Sequence, residues 1–148
     1  MFQAHTSLKI RTPGRGFVDI TPDTQQWVRS RDIRDGLLTL FIRHTSASLL
    51  IQENADPEVV RDIERFFARL VPDGDPLFEH DAEGDDDMPA HVRAALTQTH
   101  LSIPLVDGEM ALGTWQGIYL VEHRIRPHQR EVMLHLIGQE GRAIIGLE

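Results

Sequence analysis

Three stretches of this sequence carry side chains that can do chemistry. His44 stands between two apolar runs and is followed by Thr45, Ser46 and Ser48. It reads in two ways: as a core histidine held by a backbone carbonyl, or as a ligand or general base on the edge of a cavity. Asp86, Asp87 and His91 form a sharper group, because a helix opening near Pro89 sets Asp87 one turn before His91, where both can face one ion. Imidazole with carboxylate suits zinc or manganese, whereas carboxylate alone favours magnesium. The plainer alternative makes Asp87 a helix cap that complements the dipole, within an otherwise solvated acidic loop. The third stretch runs from Gly113 through Gln116 to Glu122-His123-Arg124. Strand alternation puts Gln116, Ile118, Leu120, Glu122 and Arg124 on one face, and Tyr119, Val121 and His123 on the other. His123 and Arg124 therefore diverge unless a bulge, a bend or a neighbouring subunit intervenes. Arg126, His128 and Arg130 extend a small basic cluster around Pro127, suited to a phosphate or else to an exposed hairpin. No Gly-x-Ser-x-Gly nucleophile elbow, phosphate loop or dinucleotide fingerprint is present.

Composition narrows the chemistry further. The 148 residues are the length of one ordinary domain. At 41% hydrophobic and 26% charged, the chain is too apolar to be disordered. With no cysteine, disulfides, thiolate catalysis and thiolate-ligated zinc are excluded, so any metal must be held by His, Asp or Glu. Eight acids between Leu70 and Val92, with no Lys or Arg among them, account for the whole net charge of -8. Such a balance argues against tracking a nucleic-acid backbone, which needs a basic face. Met1 to Arg11 lacks the apolar stretch of a secretory signal, and no run is long enough to span a bilayer, which points to the cytoplasm.

The elements that must position these side chains follow from patterning. Gln3–Ile10 and Gly16–Ile20 read as strands and as an antiparallel pair. Thr21 as a side-chain cap and Pro22 at the first helical position open a first helix, with Trp27, Val28 and Ile33 as its apolar stripe before Gly36. Leu37–Ile42 and Ser46–Gln52 are apolar runs of strand length. A second helix has Asp56 as cap and Pro57 at its first position, with Val59, Val60, Ile63, Phe66, Phe67 and Leu70 at three- and four-residue spacing, a face that must lie on a sheet. The segment from Val71 to Met88 has the character of a binding loop. A short helix opens near Pro89. Strands follow at His100–Val106, Met110–Leu112, Gln116–Arg124 and Glu131–Ile137, with a turn at Asp107-Gly108. The pattern is that of an α+β fold: a sandwich of mainly antiparallel β-sheets with about three helices. It gives a single domain over 1–138 and a weakly patterned tail over 139–148.

Taken together, three groups of residues resemble the YjbQ-type family, small proteins described as secondary thiamine-phosphate synthases. They are His44-Thr45-Ser46-Ala47-Ser48-Leu49 with Glu53-Asn54 and Asp56-Pro57; Glu79-His80-Asp81, Glu83-Gly84 and Asp86-Asp87-Met88-Pro89-Ala90-His91; and Gly113-Thr114-Trp115-Gln116-Gly117-Ile118 with Glu122-His123-Arg124. The match extends over nearly the full chain. Departures fall at Phe78, Ala82 and Gln98, where the family often has Tyr, an aromatic residue and Gly.

The resemblance implies a YjbQ-like fold, a homotrimer with sites near subunit contacts, and the joining of a hydroxymethylpyrimidine pyrophosphate to a thiazole phosphate with release of pyrophosphate. On that reading His44, Asp86, His91 and His123 are catalytic, and a divalent metal, Mg or Zn, is held by His44, Asp86, Asp87, His91 and His123. Ser46, Gln116, Glu122 and Arg124 bind the phosphorylated substrate, and the acidic loop closes over it. Two other readings stand beside it: a metal-dependent hydrolase of a phosphorylated metabolite, and a non-catalytic protein that binds a small anion.

Overall fold

A computed structural model describes residues 1–140. Strands β1 (Phe2–Arg11), β2 (Gly16–Asp19), β3 (Ile33–Ile42), β4 (Ala47–Glu53), β5 (His100–Val106), β6 (Glu109–Met110), β7 (Gln116–Glu122) and β8 (Gln129–Glu140) form two sheets. The larger runs β1-β8-β3-β5-β6 and the smaller β2-β7-β4, and all of their pairings are antiparallel. Helices α1 (Thr21–Ser30), α2 (Pro57–Leu70) and α3 (Asp87–Leu96) complete the α+β sandwich expected from the sequence.

The period-2 pattern of the long strands builds the core. Leu38, Leu40 and Ile42 of β3, Leu101, Ile103 and Leu105 of β5, and Val132, Leu134 and Leu136 of β8 all point inward. They meet Leu49, Ile118 and Leu120 of the smaller sheet. Burying each such side chain stabilises the fold by about 1.5–3 kcal/mol. Strand β7 is buried along nearly its whole length, because the larger sheet covers one face and α2 lies toward the other, where Phe67 meets the ring of His123 edge-on at 6.5 Å.

Several local expectations are revised. Strands β1 and β2 do not pair with each other: β1 lies along β8, and β2 along β7. The ten-residue length of β1 needs a long partner, which only a distant strand supplies. Helix α1 ends at Ser30, and Ile33 belongs to β3. Thr21 does not cap that helix through its side chain; its Oγ1 accepts from Ile118 N at 2.7 Å. Asp56 does cap α2, accepting from Glu58 N at 2.9 Å, but no residue of α2 is buried, so its apolar face is only half covered. Asp107 and Gly108 take positive φ values of 52° and 82°, as the predicted hairpin turn requires. The domain boundary placed at 138 is passed by β8, whose Gln139 and Glu140 pair with Asp35 and Ile33. The rest of the expected tail, 141–148, lies outside the described residues. Among the described residues no helix is long and apolar enough to cross a membrane.

Candidate metal centre and groove

The first turn of α3 gathers the acidic loop, the helix and the end of β7 around one carboxylate. Asp87 is only 2% exposed, and its Oδ2 lies 2.6 Å from His80 Nε2 and 3.4 Å from His91 Nε2. One ligand atom from each of His80, Asp87 and His91 falls within 4.8 Å of the others, the one such group among the described residues. The i, i+4 spacing in α3 stacks His91 over Asp87 as the sequence predicts. His80 comes from the loop between α2 and α3, folded back by Gly74 N–H donating to Asp85 O at 3.0 Å, with Gly74 and Gly84 at positive φ.

Supporting bonds fix the orientation of these side chains. His91 Nδ1 lies 2.9 Å from Thr45 O; a carbonyl can only accept, so Nδ1 donates there and the ring aims Nε2 at Asp87. Arg124 Nη1 donates to the other Asp87 oxygen at 2.7 Å, while its Nε donates to Asp86 Oδ2 at 3.0 Å and its Nη2 to Glu83 O at 3.0 Å. Burial alone would raise the Asp87 pKa, but the His80 hydrogen bond and the charges of His91 and Arg124 outweigh it and hold the group below the usual carboxylate range. Asp86 is lowered in the same way: burial opposes, while Ile125 N–H and Arg124 prevail.

An open groove of about 690 Å³ adjoins this cluster, with His91, Ala94 and Ala95 on one wall and Arg43, His44, Ser46 and Arg130 on the other. Behind it lies a buried ion pair that ties the two sheets together. Arg130 Nε donates to Glu122 Oε1 at 2.8 Å and its Nη2 bonds Glu122 Oε2, Ser46 Oγ and Ser46 O. Thr12 Oγ1 completes the set by donating to Glu122 Oε1 at 2.7 Å. Burial pushes the Glu122 pKa up, but Arg130 and Thr12 leave it lowered on balance.

The expected site residues are thus divided. Asp87 and His91 meet, and Arg124 reaches them. Asp86 turns its carboxylate to Arg124 and to Ile125 N–H instead of joining the cluster. His44 lies on the groove wall, with Nε2 accepting from Glu131 N–H at 2.8 Å. His123 belongs to a different compartment: 2% exposed, 2.8 Å from Ser48 Oγ, and packed on Phe67. Its divergence from Arg124 follows the strand alternation.

Neither Glu122 nor Gln116 is placed to bind a substrate here. Glu122 is wholly buried and occupied by Arg130, so it positions rather than binds. Gln116 starts β7 and accepts from Gly113 N–H at 2.8 Å, six residues or about 20 Å along the strand from Glu122. His80 is not among the site residues expected from the sequence, because a loop histidine separated from its partners by turns leaves no periodic signal.

The class defined by this architecture is a two-sheet α+β domain with a His/Asp cluster beside a groove. Residues 6–139 match the family described as UPF0047 protein YjbQ-like, and the chain belongs to that family. It is 51% identical over 139 residues to the UPF0047 protein sll1880 of Synechocystis sp., covering 93% of this chain and 95% of that one. With the UPF0047 protein YjbQ of Escherichia coli O157:H7 it shares 43% identity, covering 90% and 96%. A conserved hypothetical protein of Thermus thermophilus superposes with a TM-score of 0.79 at 36% identity, covering 89% of this chain and 99% of that one. The fold is shared as well by a protein of unknown function from Sulfolobus solfataricus, with a TM-score of 0.81 at 22% identity, covering 93% and 100%.

These relatives overturn the synthase assignment. They are named only as UPF0047 or hypothetical proteins, with no activity attached. The geometry also removes its physical basis, since Arg124, expected to neutralise pyrophosphate, is spent on Asp86, Asp87 and Glu83 O, and Gln116 lies at the far end of β7.

Proposed function

We propose that the protein binds a divalent transition-metal ion on His80, Asp87 and His91 and uses it as a Lewis acid toward a small anionic ligand in the adjoining groove. The observation that carries this reading is the convergence of the three ligand atoms within 4.8 Å, one imidazole having its second nitrogen anchored on a backbone carbonyl. That anchoring is the usual support of a metal-bound histidine. Two nitrogens and one oxygen suit zinc better than magnesium, which prefers oxygen ligands and retains its waters. Three protein ligands leave a position for water, whose pKa a zinc ion lowers toward neutrality. His44, Asp86 and His123 are not ligands on this reading.

Calorimetric titration with zinc, alongside elemental analysis, tests the idea. Wild-type protein should bind zinc, and His80→Ala, Asp87→Asn and His91→Ala should each weaken it by more than the roughly 10- to 100-fold expected for loss of a supporting hydrogen bond. Unchanged affinity in all three variants would sink the proposal.

The homotrimer expected from the family resemblance is part of the same reading, as is a cytoplasmic location. Its support is the outer face of the larger sheet, where Leu37 and Phe41 are 40% and 47% exposed and stand opposite Ile137 and Met133. Phe41 and Arg43 also line the groove, so a second copy on this face would cover the ligand.

A further inference from the structure

The ring of His44 faces a hydrogen-bond donor at each of its two nitrogens. Its Nε2 lies 2.8 Å from the backbone nitrogen of Glu131, which can only donate, so Nε2 must be the unprotonated nitrogen. The proton of the neutral ring is therefore on Nδ1. Yet Nδ1 stands 3.4 Å from Arg130 Nη1, which is also only a donor. Two N–H groups thus converge without an acceptor between them. Arg130 is 4% exposed, and its other nitrogens are used: Nε by Glu122, and Nη2 by Glu122 and Ser46. With the His44 proton on Nδ1, Nη1 is left without an acceptor among the described residues. Both side chains line the groove, and Thr45, next in sequence to His44, holds His91 through its carbonyl. The donor pair and the metal ligands therefore share one cavity.

The geometry points to a two-donor clamp: His44 Nδ1–H and Arg130 Nη1–H grip one anionic oxygen, of a carboxylate or a phosphate, on a small molecule whose reacting end lies toward His80, Asp87 and His91. The clamp rests on the metal-site reading for the second half of that statement and stands on its own for the first. Glu122 compensates the Arg130 charge on the buried side, so what faces the groove is directional donation rather than a diffuse positive field. His44 stays neutral because burial, and then Arg130, lower its pKa. A neutral ring is what keeps Nε2 available to Glu131 N–H.

Nitrogen-detected NMR of the histidine side chains, on metal-free and zinc-loaded protein titrated separately with inorganic phosphate and with acetate, tests the clamp. His44→Gln serves as the probe variant, since its carbonyl can accept from Glu131 N–H while it offers no donor at the Nδ1 position. His44→Asn restores an N–H at that position. The expected result is a shift of the His44 Nδ1 signal, with affinity about tenfold weaker in His44→Gln and in Arg130→Lys, partly recovered in His44→Asn, and zinc affinity kept in all three. A response to phosphate alone or to acetate alone identifies the source of the oxygen, and either supports the clamp. No movement of His44 with either anion, in either metal state, overturns it even if zinc binds. Equal affinity in wild type, His44→Gln and Arg130→Lys overturns it as well. Anion binding through His44 in a protein that takes up no zinc keeps the clamp and ends the metal reading.

Discussion

His123 shows how a residue that looks catalytic in the sequence becomes structural when its surroundings are added. Burial, reinforced by the charge of Arg93, lowers its pKa from 6.5 to about 3. Between those values the unfolded chain binds a proton that the folded chain refuses, so the group stabilises the fold above pH 6.5 and loses that contribution as pH falls. Unfolding free energy should therefore decline by about 1.4 kcal/mol per pH unit from this group alone below pH 6.5. Denaturant melts of wild type and His123→Gln between pH 6.5 and 5 measure the difference, because Gln can still meet Ser48 but does not titrate. Identical slopes would contradict the assignment. Arg130 teaches the complementary lesson. The alternation that sends Val132, Leu134 and Leu136 inward extends back to it, so its burial was legible once the strand was started at Gln129 instead of Glu131. The Glu122 carboxylate that makes that burial tolerable comes from the facing sheet, and no local pattern announces such a partner.

At the scale of elements, the sequence was most legible where one rule dominated: β5 matches its expected bounds, and Asp56-Pro57 opens α2 as capping predicts. Pairing was less so, since β1 finds β8 more than a hundred residues away. Helix α3 begins before Pro89, at Asp87, and its N-cap residue Asp86 spends its side chain on the β7–β8 connection. Arg124 is the latch of that connection, with one guanidinium bridging both carboxylates and a loop carbonyl. Arg124→Gln should accordingly weaken zinc binding about 10- to 100-fold by letting Asp87 turn, as read by competition with a chromogenic chelator. Retained affinity would show that helix packing alone aims the carboxylate.

For the whole molecule, the two-sheet α+β class followed from strand count and turn spacing, but the half-covered face of α2 and the exposed Leu37 and Phe41 are features that only the assembled sheets display. A trimer through the larger sheet should give a light-scattering mass three times 16.8 kDa. Phe41→Glu, placing a charge at that contact, should return it to one. A single-chain mass for the unsubstituted protein would end the trimer reading, and a Phe41→Glu trimer would move the contact elsewhere.

The salt link from Arg124 to Asp87 reaches beyond orientation. An acid this deeply enclosed ordinarily demands a cation before the chain around it can settle, and here the cation is built in. On the proposed metal reading, folding does not have to wait for loading: an ion reaching the two imidazoles would meet a carboxylate already compensated and held in place, and would add to a stability the scaffold has without it.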